Sequence, residues 1–349
     1  MKGELLRWGI CSAGKISNDF VLSLQNLPST EHQVHAVAAR DIDRAEKFAE
    51  LFSIPNCYSS YEELASDKNI DVVYVGAIHT QHYRVTKMML EAGKHVLCEK
   101  PMCVTGGEAK SLISFAREKK LFLMEAIWSR YFPAYRHVRK LLDDKVIGEA
   151  KHVQASFGES SDKLVPRVAE KELAGGALLD RGVYAVQFAQ FVFNETPVEQ
   201  MSMGSLLPES GVDTKVHIML KYSNNKTAVA STSIVENLPN DAVISGSKGS
   251  IRVCFPLWCP SRIEVSVKYQ ETQVFEFELP PIPTLEGSKF NFRNSQGLKY
   301  EAEEVRRCIM EGLTESPALT LDATQDIVDI MDKARKAIGY DLPQDKEWC

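Results

Sequence analysis

The stretch His95-Val96-Leu97-Cys98-Glu99-Lys100-Pro101 is an apolar run that ends on a lysine flanked by a carboxylate and a proline. Its composition is that of a buried parallel strand over 94–98, and ligands of open α/β sheets bind beyond the carboxyl ends of the strands. An ammonium there can hydrogen-bond a substrate or stabilise an anion. A second group of residues suits a phosphate-bearing ligand. Ser12-Ala13-Gly14-Lys15-Ile16-Ser17 reads S-x-G-x-x-S, where a dinucleotide-binding turn reads G-x-G-x-x-G/A. Gly14 holds the middle position, where the backbone comes nearest a pyrophosphate, and two small serines stand for the outer glycines. Alone, the pattern also fits any tight strand–helix turn. The next strand ends Val37-Ala38-Ala39-Arg40-Asp41. Ala39 aligns with the acid that would accept from a ribose 2′-hydroxyl, and Arg40 follows it. A guanidinium grips phosphate bidentately and stacks on adenine, so the turn predicts NADP. The competing reading is that Arg40 only precedes a helix cap at Asp41 or Asp43.

The elements that must position these residues alternate. Strands at 5–11, 33–39, 71–76, 94–98 and 121–124 are separated by helices at 14–26, 43–52, 80–92 and 105–119, which indicates βαβ units and a parallel sheet. Beyond residue 150 the pattern changes to strand-like alternation (KHVQASF), an apolar helix at 176–193 and strands near 198–206, 213–222, 226–235, 241–253 and 262–278. Polar turns such as SNNK and SGSKGS punctuate them. This predicts a large, mostly antiparallel open sheet with one face free for a second layer or a partner. Residues 279–297 read as a loop, and helices at 298–312 and 322–338 follow. The expected fold is an α/β Rossmann domain at 1–125 and an α+β domain at 126–349 for substrate and dimerisation, its C-terminal helices free to pack back on the first.

With 349 residues, two domains are the default. A net charge of −6 argues against nucleic-acid binding, which needs clustered Lys and Arg. No stretch approaches the ~20 apolar residues of a membrane span, and MKGELLRWGI has no apolar signal core. The eight cysteines are scattered and read as reduced thiols. Cys254 and Cys259 lack the partners of a zinc site, so no metal is expected. The reading is a soluble cytoplasmic enzyme.

With these residues in hand, the chain resembles the glucose–fructose oxidoreductase/inositol dehydrogenase family along nearly its whole length. The resemblance is carried by the Rossmann opening, by Glu99-Lys100-Pro101 and by Gly175-Gly176-Ala177-Leu178-Leu179-Asp180-Arg181-Gly182-Val183-Tyr184. The W-G-I-x-S-x-G start, Met124 to Pro133, Trp258-Cys259-Pro260 and Leu342 to Lys346 are similar to one branch of it. That resemblance implies an NADP-dependent oxidoreductase of trans-dihydrodiols and D-xylose, and a homodimer formed through the open sheet face. Two departures bear on substrate. His79 stands where the family usually has Asn in Ala77-Ile78-His79-Thr80-Gln81-His82. Tyr184 and Gln187 replace the His and Asp of the inositol branch, which argues against inositol.

Oxidising an alcohol requires hydride transfer to a nicotinamide and removal of the hydroxyl proton. Tyr184 is the candidate acid/base. Its ordinary pKa is about 10, and holding it ionised costs roughly 1.4 kcal/mol per pH unit, which a nearby ammonium such as Lys100 would supply. On one α-helix Asp180 and Tyr184 stand i and i+4 on one face, where Asp180 would hold substrate hydroxyls or restrain Lys100. Ser12, Gly14, Lys15, Ile16, Arg40, His79, His82, Glu99 and Lys100 are the candidate cofactor contacts. His82 has the alternative of capping or packing its helix. Trp128, Phe157 and Trp258, with Asp180, would wall the substrate pocket. A buried tyrosine or tryptophan is more often core, and Glu125 and Arg181 fit structural roles equally well. Another sugar or polyol dehydrogenase, or a non-catalytic NADP sensor, are the alternatives.

Overall fold

The computed structural model describes residues 5–161 and 163–347, without the side chain of Glu347. In chain order the first elements are β1 (Leu6–Cys11), α1 (Lys15–Leu24), β2 (His32–Ala38), α2 (Ile42–Phe52), β3 (Asn56–Tyr58), α3 (Tyr61–Ser66), β4 (Val72–Val75), α4 (His79–Glu91), β5 (His95–Glu99), α5 (Gly106–Lys119) and β6 (Leu123–Ala126). Next come a 3₁₀ turn (Trp128–Tyr131), α6 (Pro133–Asp143), β7 (Ala150–Gly158), α7 (Pro166–Ala169), a π-helical turn (Leu178–Gly182) and α8 (Val183–Phe193). Strands β8 (Glu199–Leu206), β9 (Asp213–Lys221), β10 (Thr227–Ser233), β11 (Ala242–Gly246), β12 (Gly249–Val253), β13 (Arg262–Val267) and β14 (Gln273–Glu276) precede α9 (Lys299–Met310) and α10 (Leu321–Ala337).

Two compact units result. Of the described residues, the first holds 5–102, 108–128 and 279–321, and the second holds 103–107, 129–161, 163–278 and 322–347. The chain thus crosses between units several times instead of dividing once near 125.

The first unit is a parallel sheet in the order β3-β2-β1-β4-β5-β6. Strands β4 (VVYV) and β6 are buried throughout, as befits a sheet covered on both faces. Helix α1 packs through Phe20, which stacks on Tyr74 with ring centres 3.9 Å apart and meets Trp8 edge-on at 5.2 Å. Strand β3 and helix α3 were absent from the sequence reading. Strand β3 has three residues, and α3 is six residues long, fixed locally by a Ser60/Glu63 capping box. The loop at 279–297 belongs to this unit because Asp19 of α1 holds it. That carboxylate accepts from the amides of Asn291 and Phe292, the Asn291 side chain and the Ser295 hydroxyl at 2.7–2.9 Å.

The second unit is an eight-stranded sheet in the order β14-β13-β12-β11-β7-β10-β9-β8. It is antiparallel except for the β7–β10 pair. The stretch 241–253 is two strands, because SGSKGS turns the chain inside it, and 262–278 divides in the same way into β13 and β14. Helix α8 is apolar apart from Gln187 and Gln190, and every residue of it is buried. The helix expected over 176–193 is a π-helical turn followed by α8, so α-helical spacing does not by itself put Asp180 and Tyr184 on one face. On the outer face of β8 and β9, Met201, Met203 and Met219 are 65%, 70% and 58% exposed, with Met201 directly opposite Met219.

Candidate active site

In the first unit, the carboxyl edge of the parallel sheet gathers most of the residues singled out for cofactor. Ser12 has φ 82°, the left-handed conformation that a glycine would take most cheaply at this position. Gly14 is the N-cap of α1, and no side chain caps the helix there. Unpaired amides at a helix start are a ready anion site. Ser17 packs tightly, since a Cβ on Gly76 would stand 2.4 Å from its hydroxyl. Lys15 is exposed and Ile16 half-buried. These features fit a dinucleotide pyrophosphate.

Arg40 is exposed just past β2, and Asp41 does cap α2, accepting from the Asp43 amide at 3.1 Å. Arg40 therefore both precedes a cap and stands at the strand end. Arg44, which the sequence reading did not single out, donates to the Ala13 carbonyl at 3.1 Å. Tyr61 links these groups. Burial raises its pKa, while a hydrogen bond with Ser12 and the charges of Arg40 and Arg44 oppose that rise. Two guanidinium groups thus flank the first βα turn. Arg44 stands in the first turn of α2, four residues beyond Arg40, and no sequence motif marks it.

At the end of β5, Glu99 is buried, accepts from the Tyr74 hydroxyl at 2.5 Å and lies 3.2 Å from the Lys100 amide. Burial raises its pKa, against the Tyr74 hydrogen bond and the Lys100 charge. Glu99 thus lies against the backbone of Lys100, which is itself half-buried. His82 lies deeper. It is fully buried with Nδ1 2.7 Å from the Pro101 carbonyl and Nε2 2.9 Å from the Ala77 carbonyl. Both ring nitrogens are engaged by backbone, so His82 ties the loop after β4 to the segment carrying Lys100. Burial lowers its pKa although both carbonyls favour the charged ring. His79, half-buried at the start of α4, has its ring 5.9 Å from that of His82. Glu125 accepts from the Met102 amide at 2.9 Å through one carboxylate oxygen. Trp128 is buried at the end of this unit.

In the second unit, Phe157 of β7 and Trp258 lie in parallel stack with ring centres 3.9 Å apart. Tyr184 is buried with its ring 5.8 Å from Phe157, and Phe255, which sequence reasoning missed, meets Trp258 edge-on at 5.8 Å. Asp180 is not an uncommitted carboxylate. Arg167 donates to it at 2.6 Å, and Arg181 lies 3.9 Å away. Arg181 also lies over the Phe157 ring at 5.7 Å and donates to the Ser233 carbonyl. Gln187, one turn past Tyr184, is taken by Arg130 at 2.7 Å and donates to the Tyr135 hydroxyl at 3.0 Å. That network ties α8 to Arg130 and Tyr135. Among the described residues no group of three or more His, Cys, Asp or Glu is placed to hold a metal ion.

Comparison with known proteins decides the family. The description "Oxidoreductase family, NAD-binding Rossmann fold" matches residues 6–127, and "GFO/IDH/MocA C-terminal domain" matches 135–252. The trans-1,2-dihydrobenzene-1,2-diol dehydrogenase of Xenopus tropicalis is 47% identical over 337 residues, covering 97% of this chain and 99% of its own. The chain belongs to the GFO/IDH/MocA family. The human protein of the same name is 43% identical over 341 residues, covering 98% of this chain and 99% of its own. Two solved structures of lower identity share the fold. A levoglucosan dehydrogenase complexed with NADH and levoglucosan has a TM-score of 0.84 at 20% identity, over 98% of this chain and 100% of that one. A 3-ketoreductase from Actinomadura kijaniata, in complex with NADP and TDP-benzene, has a TM-score of 0.80 at 24% identity, over 96% of this chain and 98% of that one. No helix of the described residues is long and apolar enough to cross a membrane.

Proposed function

We propose that this GFO/IDH/MocA oxidoreductase is an NADP-dependent dehydrogenase that oxidises trans-dihydrodiols of aromatic hydrocarbons and D-xylose. The observation that carries the reading is identity of 43–47%, nearly end to end, with proteins named for dihydrodiol oxidation. The D-xylose activity rests on the sequence resemblance alone. NADP in place of NAD is supported by Arg40 and Arg44 beside the first βα turn, where two guanidinium groups suit a 2′-phosphate. Ser12, Gly14, Lys15 and Ile16 would hold the pyrophosphate, and His79 and Lys100 would border the nicotinamide end. When bound, the cofactor supplies the hydride acceptor.

In this proposal Tyr184 takes the substrate hydroxyl proton, and Lys100 supplies the charge that favours its phenolate. The aromatic wall that the Phe157–Trp258 stack forms suits the flat carbon frame of a dihydrodiol or the apolar face of a sugar. Trp128 remains a proposed wall of the same pocket. Asp180, paired with Arg167, is the proposed acceptor that orients substrate hydroxyls. Tyr184→Phe is expected to lower turnover by roughly 10²-fold or more while NADPH binding, followed by fluorescence, stays as in the wild type. Near-normal turnover in that variant would reject the assignment.

A homodimer through the outer face of β8 and β9 is part of the proposal, supported by the exposed Met201, Met203 and Met219. Sedimentation should give twice the chain mass, and a monomer at micromolar concentration would contradict it. A cytoplasmic location is proposed with it, in keeping with seven cysteines present as free thiols among the described residues.

A further inference from the structure

The double glycine before Asp180 has a structural purpose in the second unit. Gly176 has φ 97°, and a Cβ there would stand 2.1 Å from Oδ1 of Asp213. A Cβ on Gly175 would stand 2.5 Å from the Val168 carbonyl oxygen. Only bare backbone lets this segment pass close to Asp213, the first residue of β9. Asp213 is fully buried, and its Oδ2 accepts from the Leu178 amide at 2.7 Å. Leu178 is the first residue of the π-helical turn, which contains Asp180 and runs directly into α8 with Tyr184. Single wide turns of this kind recur at functional sites, where something must hold them. Oδ1 of Asp213 is buried with no hydrogen-bond partner among the described residues.

We infer that Asp213 is a positioning residue whose ionised carboxylate, docked on the Leu178 amide, holds the π-helical turn so that Asp180 and Tyr184 are set for reaction. This deepens the dehydrogenase reading above and rests on it for the kinetic part. An anionic side chain at a helix start complements the unpaired amides and the helix dipole, and the neutral acid does so less well. Burial pushes the Asp213 pKa up to about 7, against the amides of Leu178, Asp213 itself and Ala177 and the charge of Arg335. Arg335 on α10 and the phenol of Tyr340 beyond it are the charged and titratable groups facing it. The carboxylate is therefore poised to change charge in the neutral range.

The test compares wild type, Asp213→Asn and Asp213→Ala by kinetics from pH 6 to 8 and by amide hydrogen exchange of residues 177–184. Asp213→Ala should lose roughly ten-fold or more in kcat with NADPH affinity unchanged, as expected when a reacting group is misplaced. Exchange of residues 177–184 should speed up by about five-fold or more as the cap is lost. Asp213→Asn keeps an acceptor without a charge. It should restore part of the protection but keep kcat at every pH near the lower value that the wild type shows on the acid side, so that the inflection the wild type shows near pH 7 is abolished. Wild-type kcat and exchange in Asp213→Ala, or the same inflection in Asp213→Asn, would overturn the inference. Should Asp213→Ala not fold, the pH profile of Asp213→Asn decides. Exchange needs no turnover, so a wild type inactive on every diol and aldose rejects the dehydrogenase reading, while exchange still decides the cap.

Discussion

Each unit uses a buried aspartate to hold a segment beside its half of the proposed chemistry, and the two are built differently. Asp19 is saturated by the amides of Asn291 and Phe292 and the side chains of Asn18, Asn291 and Ser295. Asp213 accepts from the Leu178 amide, and its second oxygen is buried with no hydrogen-bond partner among the described residues. A carboxylate so fully bonded is a fixed clamp. One left short of donors is held at a cost that depends on its charge, so its hold on a segment can change with pH. The difference teaches where the molecule accepts lower stability: at the start of the helical segment bearing Asp180 and Tyr184, not at the loop crossing α1.

The sharpest way to break this comparison is thermal stability. Asp19→Ala strips several donors of their acceptor, some of them exposed enough to be rehydrated, and should cost about 2–3 kcal/mol at every pH between 5 and 8. Asp213→Asn should do the opposite at high pH. The unfolded chain releases the Asp213 proton near an ordinary carboxylate pKa of about 4, whereas the folded chain holds it to about 7. The folded state therefore loses stability as pH rises through that window. At pH 8 Asp213→Asn should be more stable than the wild type, by of order 1–3 kcal/mol, and the gain should vanish toward pH 5. Melting curves at pH 5 and 8 check both, and parallel behaviour of the two variants would erase the distinction. A smaller effect sharpens the description of the first unit. Arg40→Ala should weaken NADPH about ten-fold, and NADH by less than about two-fold, by fluorescence titration. Equal losses would mean that Arg40 does not read the 2′-phosphate.

Much of this architecture was legible in the sequence, for physical reasons that can be named. The alternation of apolar runs and amphipathic helices through residue 126 carries the parallel sheet, and Lys100 falls at its carboxyl edge as the run HVLCE predicts. The second sheet was legible from alternation, and SGSKGS reads as a turn, but the short strands on its two sides were run together as 241–253, because β11 and β12 are each only five residues long. Strand β3 and helix α3 are too short for periodicity to register, and with them Tyr61 was missed. For the site, sequence motifs found side chains but not their commitments. Nothing in Ala77-Ile78-His79-Thr80-Gln81-His82 says that His82 spends both nitrogens on backbone carbonyls, because one partner, Pro101, is 19 residues away. The pairing of Asp180 with Arg167, 13 residues upstream, is equally invisible to helical spacing. Asp213 left a faint signal, an acid opening the otherwise alternating strand Asp213–Lys221, whose meaning depends on the fold bringing it to Leu178.

The measurement that tests the central claim most directly is reduced-nicotinamide absorbance with purified protein, NADP⁺ or NAD⁺, and trans-dihydrodiol of benzene, D-xylose, D-glucose or myo-inositol. The account predicts NADP⁺ reduction with the dihydrodiol and D-xylose, little with myo-inositol, and slower rates with NAD⁺. Absence of turnover with all four despite tight NADPH binding, or a preference for NAD⁺, would contradict it.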